Sequence, residues 1–388
     1  MTEPSRLEFS KKVLEKRASY FPDCEEGRQA SASITIDTFE RAAWLASLHN
    51  LGSLQVSRES EHLSAKDLGS SDFVRRLPRL LDDGFSVAVN FAEDWSLETA
   101  RVVRAIGEVF GTVANGALFL APENGATFLP HYDAIDVLAI QLDGKKTWSI
   151  GRDETNLPLA NSTFPIDSEV DWEHHFTLNK ADCLYVPRGK AHSVRAVEDS
   201  FSLHLSVGIA ARTHADVARR LIEIDSDKDK FLRSSYYSRP ARNGYLSRDF
   251  DKKKFTSLDG YSMSVSSEGL YASDLCRLHQ LPGRLSSFLR ETAPSQNMQY
   301  RRREACAVSR EFLNEGKVGL GFAGLAKGRI NKVSPFLMFP AHALSLLEAI
   351  RDHQSWFDVD QLPSFFSTEE RSAVVSRLVL EGLLEDRN

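Results

Sequence analysis

The spacing of apolar and polar positions divides the chain into a mixed front, a long middle of period two, and a tail of mixed pattern. Residues 1–36 combine a helical start with a less regular polar stretch. Over Thr38–Asn50, Phe39, Ala42, Ala43 and Leu45 or Leu48 recur at helical spacing, predicting a helix that ends near Gly52. Asp82-Asp83-Gly84 then opens a strand, Phe85–Val89. Ser96 is placed to cap a helix over Leu97–Phe110, stopped by Gly111. Val102, Val103, Ile106, Val109 and Phe110 give that helix one apolar side, which we read as packing against a sheet.

From about Asn115 to Ile209 the chain reads as all β. Leu118–Ala121 is a short strand. Val137–Leu142 and Lys145–Ile150 flank Asp143-Gly144, which predicts a two-residue hairpin. In it Leu142 would face Lys145, and Gln141 would face Lys146. Gln141 and Lys146 then share one face with Val137 and Ala139, while Leu138, Ile140 and Leu142 line a fatter face. The polar face is expected inside a barrel and the fat face under helices. Phe201, Leu203, Leu205 and Val207 alternate with Ser202, His204 and Ser206. A Ser-His-Ser face is either a solvent-facing edge or the lining of a polar cavity. Composition favours the edge, and a metal cluster nearby favours the cavity. Short strands closing on themselves with polar residues inside make a small barrel with a site in its mouth.

Past Ile209 the pattern changes. Ala215–Ile224 reads as helix, and residues 226–260 are rich in charge, Tyr and Ser, as in a loop-rich insertion. Leu278–Leu289 and Arg302–Leu313 are helix candidates, and Ile330–Phe339 reads as a strand pair. A helix over Ala341–Arg351, a strand-like Trp356–Val359 and a helix from Thr368 to Gly382 follow, the last opened by a Ser367/Glu370 capping box. That order describes a winged helix. Its basic residues Arg351, Arg371, Arg377 and Arg387 are outnumbered by Glu348, Asp352, Asp358, Asp360, Glu369, Glu370, Glu381, Glu385 and Asp386. Direct DNA binding needs a basic face and is not expected.

Composition narrows the setting. A chain of 388 residues has room for two or three domains and a sizeable core. A net charge of −6 argues against general polyanion binding. No apolar run is long enough for a membrane span, and Met1–Arg6 has no signal-peptide core. Cys24, Cys183, Cys276 and Cys306 form no CxxC pair, so a zinc cluster or a disulfide framework is not expected. These features lead us to expect a cytoplasmic protein.

The chemistry sits in His131-Tyr132-Asp133 and, much later, Val186-Pro187-Arg188-Gly189-Lys190-Ala191-His192. Two residues apart on an extended chain, His131 and Asp133 share a face, while Tyr132 points away. With His192 they make two imidazoles and one carboxylate, the facial triad of non-haem Fe(II) oxygenases. An HxD triplet alone has roughly one chance in ten of being a metal site. Adjacent His174-His175 would face opposite sides of a strand and is left out. Taken alone, Lys146 reads as an exposed lysine beside Lys145, Ser206 as a plain strand serine, and His204 as a satisfied interior histidine.

Taken together, His131-Tyr132-Asp133, Asp136–Trp148 and Leu184–His192 resemble the JmjC-type ribosomal oxygenases, a cupin subgroup of Fe(II)- and 2-oxoglutarate-dependent protein hydroxylases. The resemblance implies an α+β fold: a double-stranded β-helix (cupin/JmjC) barrel with flanking helices, a helical dimerisation region and a C-terminal winged helix. The expected boundaries are 1–210 for the catalytic domain, with a barrel core of about 115–209, 211–315 for the dimerisation region with its insertion, and 316–388 for the winged helix. It implies that His131, Asp133 and His192 bind iron and that Lys146 and Ser206 hold the distal carboxylate of 2-oxoglutarate. Removing that lysine would leave the carboxylate unpaired, a loss of about 3–5 kcal/mol in binding. Where relatives often carry Asn on the strand before HxD, this chain has Ala117, with Asn115 two residues earlier. The implied cofactors are Fe(II), 2-oxoglutarate as co-substrate and O2. The implied partners are a protein or peptide substrate, a ribosomal protein first among them, and a second copy of the chain. Two alternatives stay open: the same chemistry on a small molecule or biosynthetic peptide, and a non-catalytic cupin-like adaptor.

Overall fold

The computed structural model describes residues 3–58, 61–63, 73–125, 128–153, 157–158, 169–211, 298–303, 308–313, 316–322, 337–353 and 355–387, with isolated positions between 213 and 230. The chain forms two compact units, 1–211 and 212–388. Leu278–Leu289, residues 330–336 and nearly all of 226–260 lie outside the described residues.

The first unit opens with α1 (Glu3–Lys12), β1 (Ser19–Phe21), α2 (Glu25–Ser33) and α3 (Ile36–His49). Thr35 and Thr38 cap α3 reciprocally, which satisfies backbone N–H groups that have no partner within the helix. Its buried stripe is Phe39, Ala42, Ala43 and Ala46; Leu48 is exposed. Then come β2 (Leu54–Arg58), β3 (Glu61–Leu63), α4 (Phe73–Asp82), β4 (Ser86–Asn90) and α5 (Leu97–Phe110). The Ser96 side chain caps α5 by accepting from Thr99 N–H, and Gly111 ends it in the left-handed region at φ 64°.

The barrel strands are β5 (Ala114–Ala121), β6 (Asp136–Gly144), β7 (Lys146–Asp153), β8 (Trp172–Leu178), β9 (Cys183–Val186), β10 (Lys190–Ala196) and β11 (Ser202–Ile209). They build an eight-stranded sheet in the order β1-β9-β6-β11-β5-β4-β2-β3 and a three-stranded sheet in the order β10-β7-β8. Two sheets facing each other with this antiparallel crossing make the double-stranded β-helix.

The hairpin expected at Asp143-Gly144 is not formed. β6 pairs with β9 and β11, whereas β7 pairs with β8 and β10. The two residues turn a corner from one sheet to the other. Gly144 takes φ 62°, and a Cβ there would lie 1.9 Å from the Phe201 carbonyl oxygen, so only glycine fits. Local turn chemistry was the same as for a hairpin; the long-range pairing with β11 decided the outcome. The expected faces nevertheless hold. Ile140 and Leu142 join Leu203, Leu205 and Val207 in a core roofed by α3, α4 and α5 residues. Val137 and Ala139 point the other way, into a second cluster with Trp148, Ile150, Leu178, Leu184 and Val186. Gln141 and Lys146 face this interior from opposite sheets rather than pairing.

β11 lies between β5 and β6 and is central. Its Ser-His-Ser face is therefore interior lining and not a solvent-facing edge.

In the second unit, positions 214–216, 218–219 and 222 are helical, in line with part of the helix expected over 215–224. Beyond lie β12 (Gln299–Arg302), β13 (Val308–Leu313), β14 (Lys317–Phe322), β15 (Leu337–Pro340), α6 (Leu344–Asp352), α7 (Thr368–Leu380) and β16 (Leu384–Arg387). The helix expected over Arg302–Leu313 is not present: its start belongs to β12, paired with β16, and its end is β13, paired with β14. Val308-Ser309-Arg310-Glu311-Phe312-Leu313 is short enough for either reading, and cross-strand partners settle it. Of the strand-like Trp356–Val359, only Phe357 pairs, as an isolated bridge to Tyr300. Tyr300, Leu346, Phe357, Val375 and Leu378 are among the buried residues that hold this unit together. No helix among the described residues is long and apolar enough to cross a membrane.

Candidate metal centre

His131, Asp133 and His192 come together: one possible ligand atom from each lies within 4.8 Å of the others. Backbone pairing sets this up. His131 N–H donates to His192 O at 3.1 Å, and His192 N–H donates to His131 O at 2.7 Å. The bridge places the two imidazoles side by side, with ring centroids 4.3 Å apart. Asp133 is fixed from its carbonyl, which accepts from Gly189 N–H at 2.8 Å. Gly189 sits at φ 84°, a conformation that a side chain would strain. The Asp133 carboxylate then lies 3.5 Å from His192 Nε2.

The imidazole tautomers follow from their neighbours. His131 Nδ1 is 2.8 Å from Leu129 O, and His192 Nδ1 is 3.1 Å from Lys190 O. A carbonyl oxygen can only accept, so both Nδ1 atoms donate a proton and the Nε2 atoms are the ones left to face a metal. This is the arrangement in which imidazoles ligate metals. Burial, then the neighbouring His131, pull His192 down to about 4, against the opposing pull of Asp133. The ring is neutral and ready to donate its lone pair.

Behind the cluster the interior is aromatic and polar at once. Trp148 stacks on His192 at 5.8 Å and 24°, and meets His204 edge-on at 5.8 Å. His204 lies flat against Phe119 at 4.9 Å and 8°. Lys146 Nζ sits 5.9 Å from the Phe119 ring centre. Lys146 is 1 % exposed, far from the exposed lysine its local sequence suggests. Burial alone draws it down to about 7, with no carboxylate among the described residues to offset the desolvation. His204 is held well below the ordinary histidine range, first by burial and then by Lys146. Its Nδ1, the Trp148 Nε1 and the Gln141 Oε1 are buried without a hydrogen-bond partner among the described residues. Ser206 lies two residues beyond His204 on the same strand face, paired with Ala117 and Ala139, and is partly accessible.

A buried, uncompensated ammonium is expensive. An interior holding one, beside other orphaned polar atoms, fits a bound anion. The donor set of two imidazoles and a carboxylate fits a borderline divalent metal such as Fe(II). The site residues thus fit both a metal and a small diacid. Phe119, Trp148 and Phe128, whose ring meets His131 edge-on at 5.4 Å, escape sequence reasoning as site residues, while His204 reads from the sequence as a satisfied interior histidine. For Phe119 and His204 strand parity was the available signal, since they lie two residues from Ala117 and Ser206 and share their face. His174 and His175 stay apart from the cluster; His175 Nδ1 instead pairs with Ser149 Oγ at 2.8 Å.

The two-sheet barrel is a cupin fold carrying a His-Asp-His cluster, and residues 87–217 match the JmjC domain family. Over 127 residues it is 37 % identical to the bifunctional lysine-specific demethylase and histidyl-hydroxylase NO66 of Brugia malayi, covering 30 % of this chain and 17 % of that protein. Over 137 residues it is 30 % identical to human ribosomal oxygenase 1, covering 34 % and 21 % respectively. The match thus spans about a fifth of these relatives. Among solved structures, YcfD, a ribosomal oxygenase from Escherichia coli in complex with cobalt and 2-oxoglutarate, shares the fold at TM-score 0.55 and 14 % identity, over 98 % of both chains.

Proposed function

We propose that this protein is an Fe(II)- and 2-oxoglutarate-dependent oxygenase that hydroxylates an amino-acid side chain of a protein, most naturally a ribosomal one. The observation that carries the reading is the Lys146 ammonium, buried and without a carboxylate partner, in the same interior as His131, Asp133 and His192. His131, Asp133 and His192 would hold the iron. Lys146 would hold the distal carboxylate of 2-oxoglutarate, with Ser206 adding a hydroxyl donor. When bound, the metal and co-substrate supply the oxidative chemistry: O2 is consumed, the 2-oxo acid leaves as succinate and carbon dioxide, and one oxygen atom enters a substrate C–H bond. The chain's own part is positioning and water exclusion. The Nδ1 hydrogen bonds keep both imidazole lone pairs aimed, and Gly189 keeps Asp133 in place. Trp148, Phe119 and Phe128 exclude water around the diacid and so strengthen its pairing with Lys146.

The wider architecture in this reading is a catalytic domain at 1–210, a dimerisation region at 211–315 and a winged helix at 316–388. We infer a homodimer working in the cytoplasm, with the acidic terminal module docking partners rather than DNA. The naming of the relatives supports the protein substrate. The test is release of labelled carbon dioxide from 2-oxoglutarate in the presence of Fe(II) and ribosomal proteins, together with a one-oxygen mass gain on a single protein. No release above a His131→Ala control would remove the enzymatic reading. Release without any protein gaining mass, but with a metabolite altered, would move the substrate to a small molecule.

A further inference from the structure

Away from the interior, two cysteines that the oxygenase reading does not use stand together. Cys24 Sγ and Cys183 Sγ are 2.9 Å apart, yet both are free thiols. They come from positions 159 residues apart in the chain. Cys24 is the N-cap of α2 and accepts from Gly27 N–H at 3.3 Å. Cys183 opens β9 and pairs with Phe21 on one side and Ile140 on the other. The backbones are already joined, because Cys24 N–H donates to Ala181 O at 3.2 Å. Cys24 is partly accessible, and Cys183 is buried at 4 %.

We propose that Cys24 and Cys183 are a peroxide-responsive dithiol that closes to a disulfide between the N-terminus of α2 and β9. The two thiols are unequal in the way such a reaction needs. Cys24 has first the Cys183 S–H and then the Gly27 N–H to stabilise a thiolate; these outweigh burial and the nearby Glu26 and bring it to about 7, and its place at a helix N-terminus favours the same form. Cys183 is pushed up by its hydrogen bond to Cys24 and by burial, and stays a thiol. The Cys24 thiolate attacks one oxygen of hydrogen peroxide; the S–O bond forms, the O–O bond breaks, and the hydroxide released takes a proton to become water. Cys183 sulfur then attacks the Cys24 sulfenic acid; the S–S bond forms, the S–O bond breaks, and the leaving hydroxide takes the Cys183 proton as a second water. Two thiols are oxidised and one peroxide is reduced. The link fastens the β1–α2 segment to the strand that runs on to Arg188 and Gly189, where Asp133 is held.

The test uses the full chain in chelator-containing buffer, treated with hydrogen peroxide and mapped without reduction. The expected product is a peptide pair joining residues 24 and 183, lighter by two hydrogens and separated by dithiothreitol. At neutral pH, iodoacetamide should label Cys24 at least about tenfold faster than Cys183. Cys183→Ser should halt the reaction at the sulfenic acid, trapped on Cys24 by dimedone. Cys24→Ser should leave Cys183 unmodified. Cys24 linked chiefly to Cys276, Cys306 or a second chain would overturn the proposal. So would a Cys24 that survives peroxide as a free thiol, or a Cys183 that alkylates as fast as Cys24.

Discussion

The two faces of β6 and β11 are built to opposite specifications. Outward, Ile140, Leu142, Leu203, Leu205 and Val207 are each at most 1 % exposed and join an apolar core with side chains from the helices and neighbouring strands. Inward, the same strands and β7 present Gln141, His204, Ser206 and Lys146, several with polar atoms that nothing among the described residues satisfies. One face stabilises the fold by removing apolar area from water. The other gives some of that stability back by burying groups that lack partners. A sheet that carries both shows where folding ends and ligand binding begins: the unsatisfied groups mark the space a ligand would fill. The same substitution type should therefore have opposite consequences on the two faces.

The sharpest break in the comparison is at the cluster. Asp133→Ala removes the only carboxylate among the three grouped residues. We expect turnover to fall by at least about a thousandfold, with little change in melting temperature, since Asp133 is partly exposed. Metal content by mass spectrometry and carbon dioxide release check this together. Normal metal content with full turnover would dissolve the reading of the interior as an iron site.

Lys146→Met comes next and separates stability from function most cleanly. Binding of 2-oxoglutarate should weaken by about 3–5 kcal/mol, roughly two to four orders of magnitude in Kd. The ligand-free protein should instead become more stable, on the order of 1–4 kcal/mol, because a buried charge without a partner is replaced by an apolar chain of similar length. The pH dependence carries the sign. Lys146 lies at about 7 in the folded chain against 10.5 for an unperturbed lysine. Between those values the unfolded chain holds a proton that the folded chain does not. This group's cost to stability is thus full below about pH 7 and fades as pH rises toward 10.5. Melting curves of ligand-free protein should show this rise for the wild type, and Lys146→Met should lack it. A less stable ligand-free variant would mean that the ammonium has a partner after all.

On the outward face Leu205→Ala should behave in the ordinary way. It empties a site that is 0 % exposed and should cost about 2–5 kcal/mol, read as a lower urea midpoint. The affinity of the remaining folded protein for 2-oxoglutarate should stay within about twofold.

How far these faces could be read from the chain depends on which interactions set them. Alternation put Leu138, Ile140 and Leu142 under the helices and Val137 and Ala139 inside, because side-chain direction on a strand is a local property. Ser96 and Gly111 bounded α5 for the same reason: caps act within one turn. Pairing was not legible. Asp143-Gly144 satisfies hairpin chemistry, yet Gly144 meets Phe201 across a sheet corner, and only the fold brings residue 201 there. The segment 302–313 failed likewise, since its strands are defined by β14 and β16. At the site, HxD and the later histidine were visible as residue types. Their convergence rests on the His131–His192 bridge, which no spacing encodes. Lys146 shows the gap most plainly: beside Lys145 it looks solvated, and only the corner after Gly144 turns it inward.

The smallest effect tests how finely the interior is divided. Ser206→Ala removes a hydroxyl that is partly accessible on the lining face, between Ala117 and Ala139. Its cross-strand neighbours are small and apolar, and stability of the ligand-free protein should change by less than about 0.5 kcal/mol. If Ser206 shares the diacid's distal carboxylate with Lys146, one hydrogen bond to a charged group is lost. The expected cost is about 1.5–3 kcal/mol, roughly ten- to a hundredfold in 2-oxoglutarate Kd. Titration calorimetry with the metal-loaded protein reads it directly. Coupling sharpens the result: in Lys146→Met the carboxylate is already displaced, so adding Ser206→Ala should cost almost nothing further. Additive losses would mean the two side chains act at separate places, and the carboxylate pocket would shrink to the lysine alone.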